Sequence, residues 1–119
     1  MQESILKLKS FHLAESIVAF CGKQKNSQNN IIANQLLRSG TSIGACVAEA
    51  GAAQTRRDFI TKMAIASKEA RETLYWLKLI HLSGNNSKDC ESLIKETEEV
   101  IRILTATVKT AQLNDRRNH

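Results

Sequence analysis

Not one proline occurs in the 119 residues of this chain, and only five glycines do. Proline removes a backbone donor and clashes with the preceding turn, so a chain without it is free to form long unbroken helices. The apolar spacing shows that it uses this freedom. Cys90, Leu93, Thr97, Val100, Leu104, Thr107 and Ala111 follow one another in alternating steps of three and four. Ile94, Ile101 and Val108 widen that stripe, while Glu91, Lys95, Glu98, Glu99, Arg102 and Lys109 lie mostly opposite. Such a period belongs to a helix that turns one face to a bundle, not to a strand. Phe59, Met63, Ala66, Ala70, Leu74 and Leu77 make a second stripe, and Ile32, Leu36, Ile43 and Val47 a third. Phe11, Leu13, Ala14, Ile17, Val18, Phe20 and Cys21 supply a fourth segment.

Breaks separate these segments. Residues 26–30 and 83–87 are Asn-, Ser- and Gly-rich, which favours turns and caps over helix interiors. Near Gly51 the chain breaks again, and Thr55 with Asp58 three residues on resembles a capping box. The expectation is an all-α fold, an up-down-up-down antiparallel four-helix bundle in a single domain over 1–119. Its helices fall at about 10–25, 30–52, 55–83 and 87–113, with a short flexible tail over 114–119. Ser10 caps the first helix in this reading; a start near Ser4 is the alternative. Aromatic residues are only 4% of the chain, so the interior is aliphatic and alanine-rich.

The second segment carries two unusual features. Gly40, Gly44 and Ala48 form a small-residue stripe at i, i+4, i+8. Each helical glycine costs about 1 kcal/mol relative to alanine. Close approach of another backbone offsets that cost, either inside the bundle or at an oligomer interface; outward Trp76 or Ile103 are other contact candidates. Arg38 lies alone in an otherwise uncharged stretch from Asn26 to Ala48. If helices 2 and 3 turn near residue 53, Arg38 stands level with Glu69 and within a turn of Glu72. It then either forms a structural ion pair with them or extends to water.

Catalytic signatures are not evident. No Gly-rich phosphate loop precedes a helix, and His12, His81 and His119 have no H-E-x-x-H spacing. Glu69 and Glu72 lack the Glu-x-x-His motifs of di-metal bundles. Bundle topology brings Cys21, His81 and Cys90 toward one end, which leaves a metal-dependent enzyme as a remote alternative. No catalytic residue, metal ligand or cofactor is assigned. Cys21, Cys46 and Cys90 are odd in number and widely spaced, as reduced core thiols are. With an acidic start at Glu3 and no uncharged apolar run near the ~20 residues that span a bilayer, the expected location is cytoplasmic, away from membranes.

A central signature runs from Gln35-Leu36-Leu37-Arg38-Ser39-Gly40-Thr41-Ser42-Ile43-Gly44-Ala45 into Val47-Ala48-Glu49-Ala50. It continues through Asp58-Phe59-Ile60-Thr61-Lys62-Met63 and Lys68-Glu69-Ala70-Arg71-Glu72-Thr73-Leu74-Tyr75-Trp76-Leu77. This resembles the bacterial four-helix-bundle family encoded by intervening sequences in 23S rRNA genes, some of whose members are labelled ribosomal-protein-like. The resemblance covers nearly the whole chain, with Cys46 where the family usually has Asn. It implies a ring, commonly a homopentamer, and no enzymatic activity. The accessory variability protein of diversity-generating retroelements is distantly similar; that likeness implies nucleic acid and a reverse transcriptase or other protein as partners.

The net charge of +5 favours an acidic partner. An up-and-down bundle gathers Lys7, Lys9, Arg56, Arg57, Lys109, Arg116 and Arg117 toward one pole, opposed mainly by Glu3, Glu49, Asp58 and Asp115. Few aromatics stand near the poles to stack on bases, so any nucleic-acid binding is weak and non-specific. The leading expectation is a non-enzymatic oligomeric scaffold that binds RNA or DNA through this pole. The alternative is a protein-interaction ring with no nucleic-acid role.

Overall fold

Helix boundaries follow from caps that satisfy otherwise orphaned backbone groups. Thr55, in extended geometry (φ −131°, ψ 157°), accepts a hydrogen bond from the Asp58 amide at 3.0 Å and opens a helix at Arg56. Ser87 accepts from the Cys90 amide at 3.2 Å and opens the next. Gly84, at φ +119°, supplies the left-handed backbone that ends the third helix after its Ser83 cap. The result, seen in a computed structural model that describes residues 2–23, 30–84 and 87–117, is four helices: α1 Gln2–Gly22, α2 Asn30–Gly51, α3 Arg56–Leu82 and α4 Lys88–Arg117. No strand occurs among the described residues.

The helices pack as an antiparallel bundle measuring 52 × 20 × 20 Å. α1 touches α2 and α4, and α3 touches α2 and α4; α1 and α3 are diagonal, as are α2 and α4. Leu6, Leu13 and Ile17 from α1, Leu36 and Ile43 from α2, Met63 and Leu77 from α3, and Val100 and Leu104 from α4 are buried together along the axis. Each such side chain contributes roughly 1.5–3 kcal/mol by leaving water. α4 buries Cys90, Leu93, Thr97, Val100, Leu104 and Thr107, the stripe legible in the sequence.

Two boundaries differ from the sequence expectation. α1 begins at Gln2, not near residue 10, because Leu6 and Ser10 extend the buried series to Leu13, Ile17 and Phe20. Ser10 is therefore no cap; it is buried in mid-helix and its hydroxyl donates to the Lys7 carbonyl at 3.2 Å. α4 runs on through Arg117, so residues 114–117 are helical and not a flexible tail. No glycine or proline stops it, and Arg116 and Arg117 suit the negative end of the helix dipole. Residues 24–29, 85–86 and 118–119 lie outside the described set, and with them parts of the expected turns, the end of helix 1, and His119.

The small-residue stripe of α2 faces α1. A β-carbon on Gly40 would lie 2.5 Å from Ile17 Cδ1, and one on Gly44 would lie 3.4 Å from the Ser10 carbonyl oxygen. Gly40 thus lets α1 and α2 approach within the protomer, Gly44 leaves room for an ordinary contact with Ser10, and Ala48 is exposed.

Candidate nucleic-acid interface

Antiparallel packing brings the start of α1, the end of α2, the start of α3 and the end of α4 to one pole. Arg56, Arg57, Arg116 and Arg117 are exposed there, and Lys7 stands exposed within two turns of the start of α1. Lys9 does not belong with them. Its ammonium lies 2.6 Å from Glu99 Oε1, which holds the Glu99 carboxyl below its ordinary pKa. Lys109 sits two turns inside the end of α4, in a groove against α3.

Carboxylates are drawn to two other seams. Between α1 and α4, Glu99 meets Lys9, Glu96 Oε1 lies 3.6 Å from His12 Nε2, and Asp89 Oδ2 lies 3.3 Å from Lys23. The last two pairs flank a cleft of about 340 Å³ lined also by Ser16 and Ser92. Between α2 and α3, Arg38 bridges Glu69 (Nη1 to Oε2, 3.2 Å) and Glu72, and its Nε donates to Gln35 at 3.3 Å. The Trp76 indole donates to Glu72 at 3.0 Å; with Arg38 it lowers the Glu72 pKa. Further along the seam, Lys62 reaches Glu49 at 3.3 Å. Directly inside the Arg38 cluster, Thr73 Oγ1 donates to Ser39 Oγ at 3.0 Å, and Ser39 donates to the Leu36 carbonyl at 3.3 Å. This buried polar link and the half-exposed ion pair together fix the level of α2 against α3.

Side chains with catalytic potential elsewhere are engaged in structure. Ser42 donates to the Arg38 carbonyl and Thr97 to that of Leu93, both at 2.7 Å. Burial pushes the Cys21 thiol up to about 11, and burial first, with nearby carboxylates second, raises Cys46 and Cys90. Cys21 and Cys90 point their sulfurs at the Ala33 and Leu77 carbonyls, at 3.5 and 3.7 Å. Among the described residues no three His, Cys, Asp or Glu side chains group as a metal site, and His81 Nδ1 is buried without a partner.

Sequence reasoning passed over two surface features. Leu8, Phe11 and Val18 leave an apolar stripe along the outside of α1, exposed by 74%, 63% and 52%. Tyr75 and Leu82, which by their spacing lie off the α3 stripe and widen its apolar surface, are exposed by 59% and 82%. Trp76 and Ile103, the other contact candidates, are half-buried and pack in part against the core. Arg71 was the other omission. Read as part of a signature, it is an exposed cation on the α4 side of α3, and its Nη2 donates to Thr105 at 3.2 Å. Its offsets of fourteen residues from Arg57 and seven from Lys78, both whole numbers of heptads, were the available signal.

No described helix is long and apolar enough to cross a membrane. No curated protein matches the chain. Among solved structures, a protein of unknown function of the S23 ribosomal protein family from Bacteroides thetaiotaomicron is 40% identical. The alignment covers 92% of this chain and 99% of that one, with a TM-score of 0.85. The family profile described as 23S rRNA-intervening sequence protein matches residues 2–106, spanning all four helices up to the last buried turn of α4. With that match added to the bundle and its central signature, the chain belongs to the 23S rRNA-intervening sequence protein family.

Proposed function

We propose that this protein is a non-enzymatic, ring-forming scaffold that binds RNA or DNA through its basic pole without reading bases. The observation that carries the binding half is the convergence of Lys7, Arg56, Arg57, Arg116 and Arg117 at one end of the bundle. Aligned copies in a ring multiply that charge, and phosphate contacts made this way weaken steeply as salt rises. The non-enzymatic half is supported by the engagement of His12, Ser42 and the cysteines in ion pairs, backbone bonds and burial.

The ring is supported by where the exposed apolar residues lie. Leu8, Phe11 and Val18 sit on α1, and Tyr75 and Leu82 on the diagonal helix α3. Two different apolar faces on opposite corners suit a head-to-tail contact, which closes into a ring when the rotation allows. A homopentamer is the closure that the family resemblance implies. The same faces would also serve a protein-interaction ring with no nucleic-acid role.

Two measurements test the proposal. Multi-angle light scattering at micromolar concentration should give a closed oligomer, with five protomers the expected number; a monomer refutes the ring. Fluorescence anisotropy with labelled RNA and duplex DNA should show binding that fades with added salt. Absence of binding to either at low salt removes the nucleic-acid role and leaves the protein-interaction ring.

A further inference from the structure

Five cations on α4 are spaced by seven residues: Lys88, Lys95, Arg102, Lys109 and Arg116. All five are exposed. Seven residues return a helix to nearly the same azimuth, so these cations form one row along the outside of α4 at intervals of about 10.5 Å. The row is not balanced evenly. Glu91 and Glu98 stand within a turn of its first members, whereas from Arg102 to Arg117 the only carboxylate on α4 is Asp115.

That less-balanced half flanks a groove of about 270 Å³ between α3 and α4. Ser67, Arg71, Thr105, Lys109 and Gln112 line it, together with two small apolar side chains and no carboxylate. Each of those five polar side chains can donate a hydrogen bond to an oxyanion. Four of the neighbouring acids are directed elsewhere: Glu69 and Glu72 are held on the α2 side by Arg38, and Glu96 and Glu99 face His12 and Lys9 of α1. Arg71 is left with a hydroxyl partner alone among the described residues. No aromatic side chain lines the groove.

We infer that the sugar-phosphate backbone of one nucleic-acid strand leaves the basic pole and runs up the α3–α4 groove, with Arg71 and Lys109 seating its phosphates. This rests on the nucleic-acid reading given above and extends it from the pole to the side of the bundle. Arg102, Lys109 and Arg116 meet that backbone in turn along the row, and Arg71 and Lys109 hold neighbouring phosphates across the groove. Because the groove offers donors and charge but no stacking surface, bases face outward and sequence is not read.

The test uses the full chain and a fluorescein-labelled single-stranded RNA of mixed sequence, titrated by anisotropy over a series of salt concentrations. Four proteins are compared: wild type, the groove variant Arg71→Gln/Lys109→Gln, its conservative counterpart Arg71→Lys/Lys109→Arg, and the pole variant Arg56→Gln/Arg57→Gln. All four altered residues are exposed, and matching thermal melts establish that each variant folds. The groove variant should bind roughly tenfold more weakly and lose about 1.4 from the slope of log affinity against log salt, two phosphates at about 0.7 each. The replacement pair Arg71→Lys/Lys109→Arg should restore most of the affinity. A groove variant that binds like wild type, while the pole variant is weakened, overturns the groove path and leaves the pole reading standing. Wild type that fails to bind at low salt overturns both.

Discussion

Gly40 of α2 lies under Ile17 of α1, so closely that a β-carbon at position 40 would come within 2.5 Å of Ile17 Cδ1 and 3.0 Å of its Cγ2. Ile17 is fully buried, so moving Cδ1 aside means repacking it among core neighbours, and its branched Cγ2 stays close. Gly40→Ala therefore gains about 1 kcal/mol of helix propensity but loses about 1–3 kcal/mol to overpacking. The expected net result is a lower melting temperature. Pairing it with Ile17→Val, which removes Cδ1, should recover part of the loss, and additive effects of the two changes would contradict the contact. Gly44→Ala offers the contrast. Its β-carbon would meet the Ser10 carbonyl oxygen at 3.4 Å, an ordinary contact, so this change should raise stability by about 0.5–1 kcal/mol in urea unfolding.

The Glu72 carboxyl gives the fold an acid dependence. Its folded pKa lies below the ordinary 4.5 because the Trp76 indole donates to it and Arg38 faces it. A carboxylate lowered in this way contributes stability that is fully present above the unfolded value and is lost as pH falls through the folded one. Thermal melts should hold steady down to about pH 5 and then decline. Glu72→Gln should flatten part of that decline, and an unchanged acid limb in the variant would remove Glu72 as its source. Trp76 emission should shift over the same interval as its acceptor is protonated.

Thr73 and Ser39 should show sub-additive coupling. Thr73→Val removes the donor to Ser39 and costs about 1 kcal/mol, with Ser39 still able to use the Leu36 carbonyl. Ser39→Ala leaves Thr73 its Glu69 carbonyl at 2.8 Å. The double variant should lose less than the sum, as read by a double-mutant cycle in urea.

The three cysteines should resist alkylation in the native protein at neutral pH. Burial raises all three, Cys21 to about 11, so the thiolate fraction available to react is small. Iodoacetamide should modify them slowly until denaturant is added, when all three react. Fast native labelling of Cys21 would show that the end of α1 opens more readily than its packing implies.

Long-range architecture was legible here because it rests on one-dimensional periodicity. The α4 stripe from Cys90 to Thr107 could be read directly, since tertiary packing kept the helical face that the spacing marks. The level of Arg38 against Glu69 and Glu72 followed from a single turn position, and the structure places all three together. Ser10 misled because a polar residue before an apolar run has two readings: an N-cap, or a small buried hydroxyl bonding its own helix. Only the position of Leu6 against neighbouring helices decides between them. Phe11 and Val18 read as core by residue type, but their azimuth turns them outward, and residue type carries no azimuth. Lys9 could be counted with the pole from its position in the chain, but its partner Glu99 comes from the far end of the sequence.

α1 has 21 residues and α4 has 30. Lys9 stands level with Glu99 and His12 with Glu96, so α1 ends its cover of α4 near residue 106. Beyond that level the longer helix continues as a spur that α1 no longer covers, with α3 still beside it at Val108, Lys109 and Gln112. The innermost side chain it still buries is Thr107, and Leu113 on the spur is already half open to water. Shortening the spur would strip Arg116 and Arg117 from the molecule without disturbing a single core residue. The charge at the tip and the stability of the body are thus separable, and either can be altered while the other is left alone.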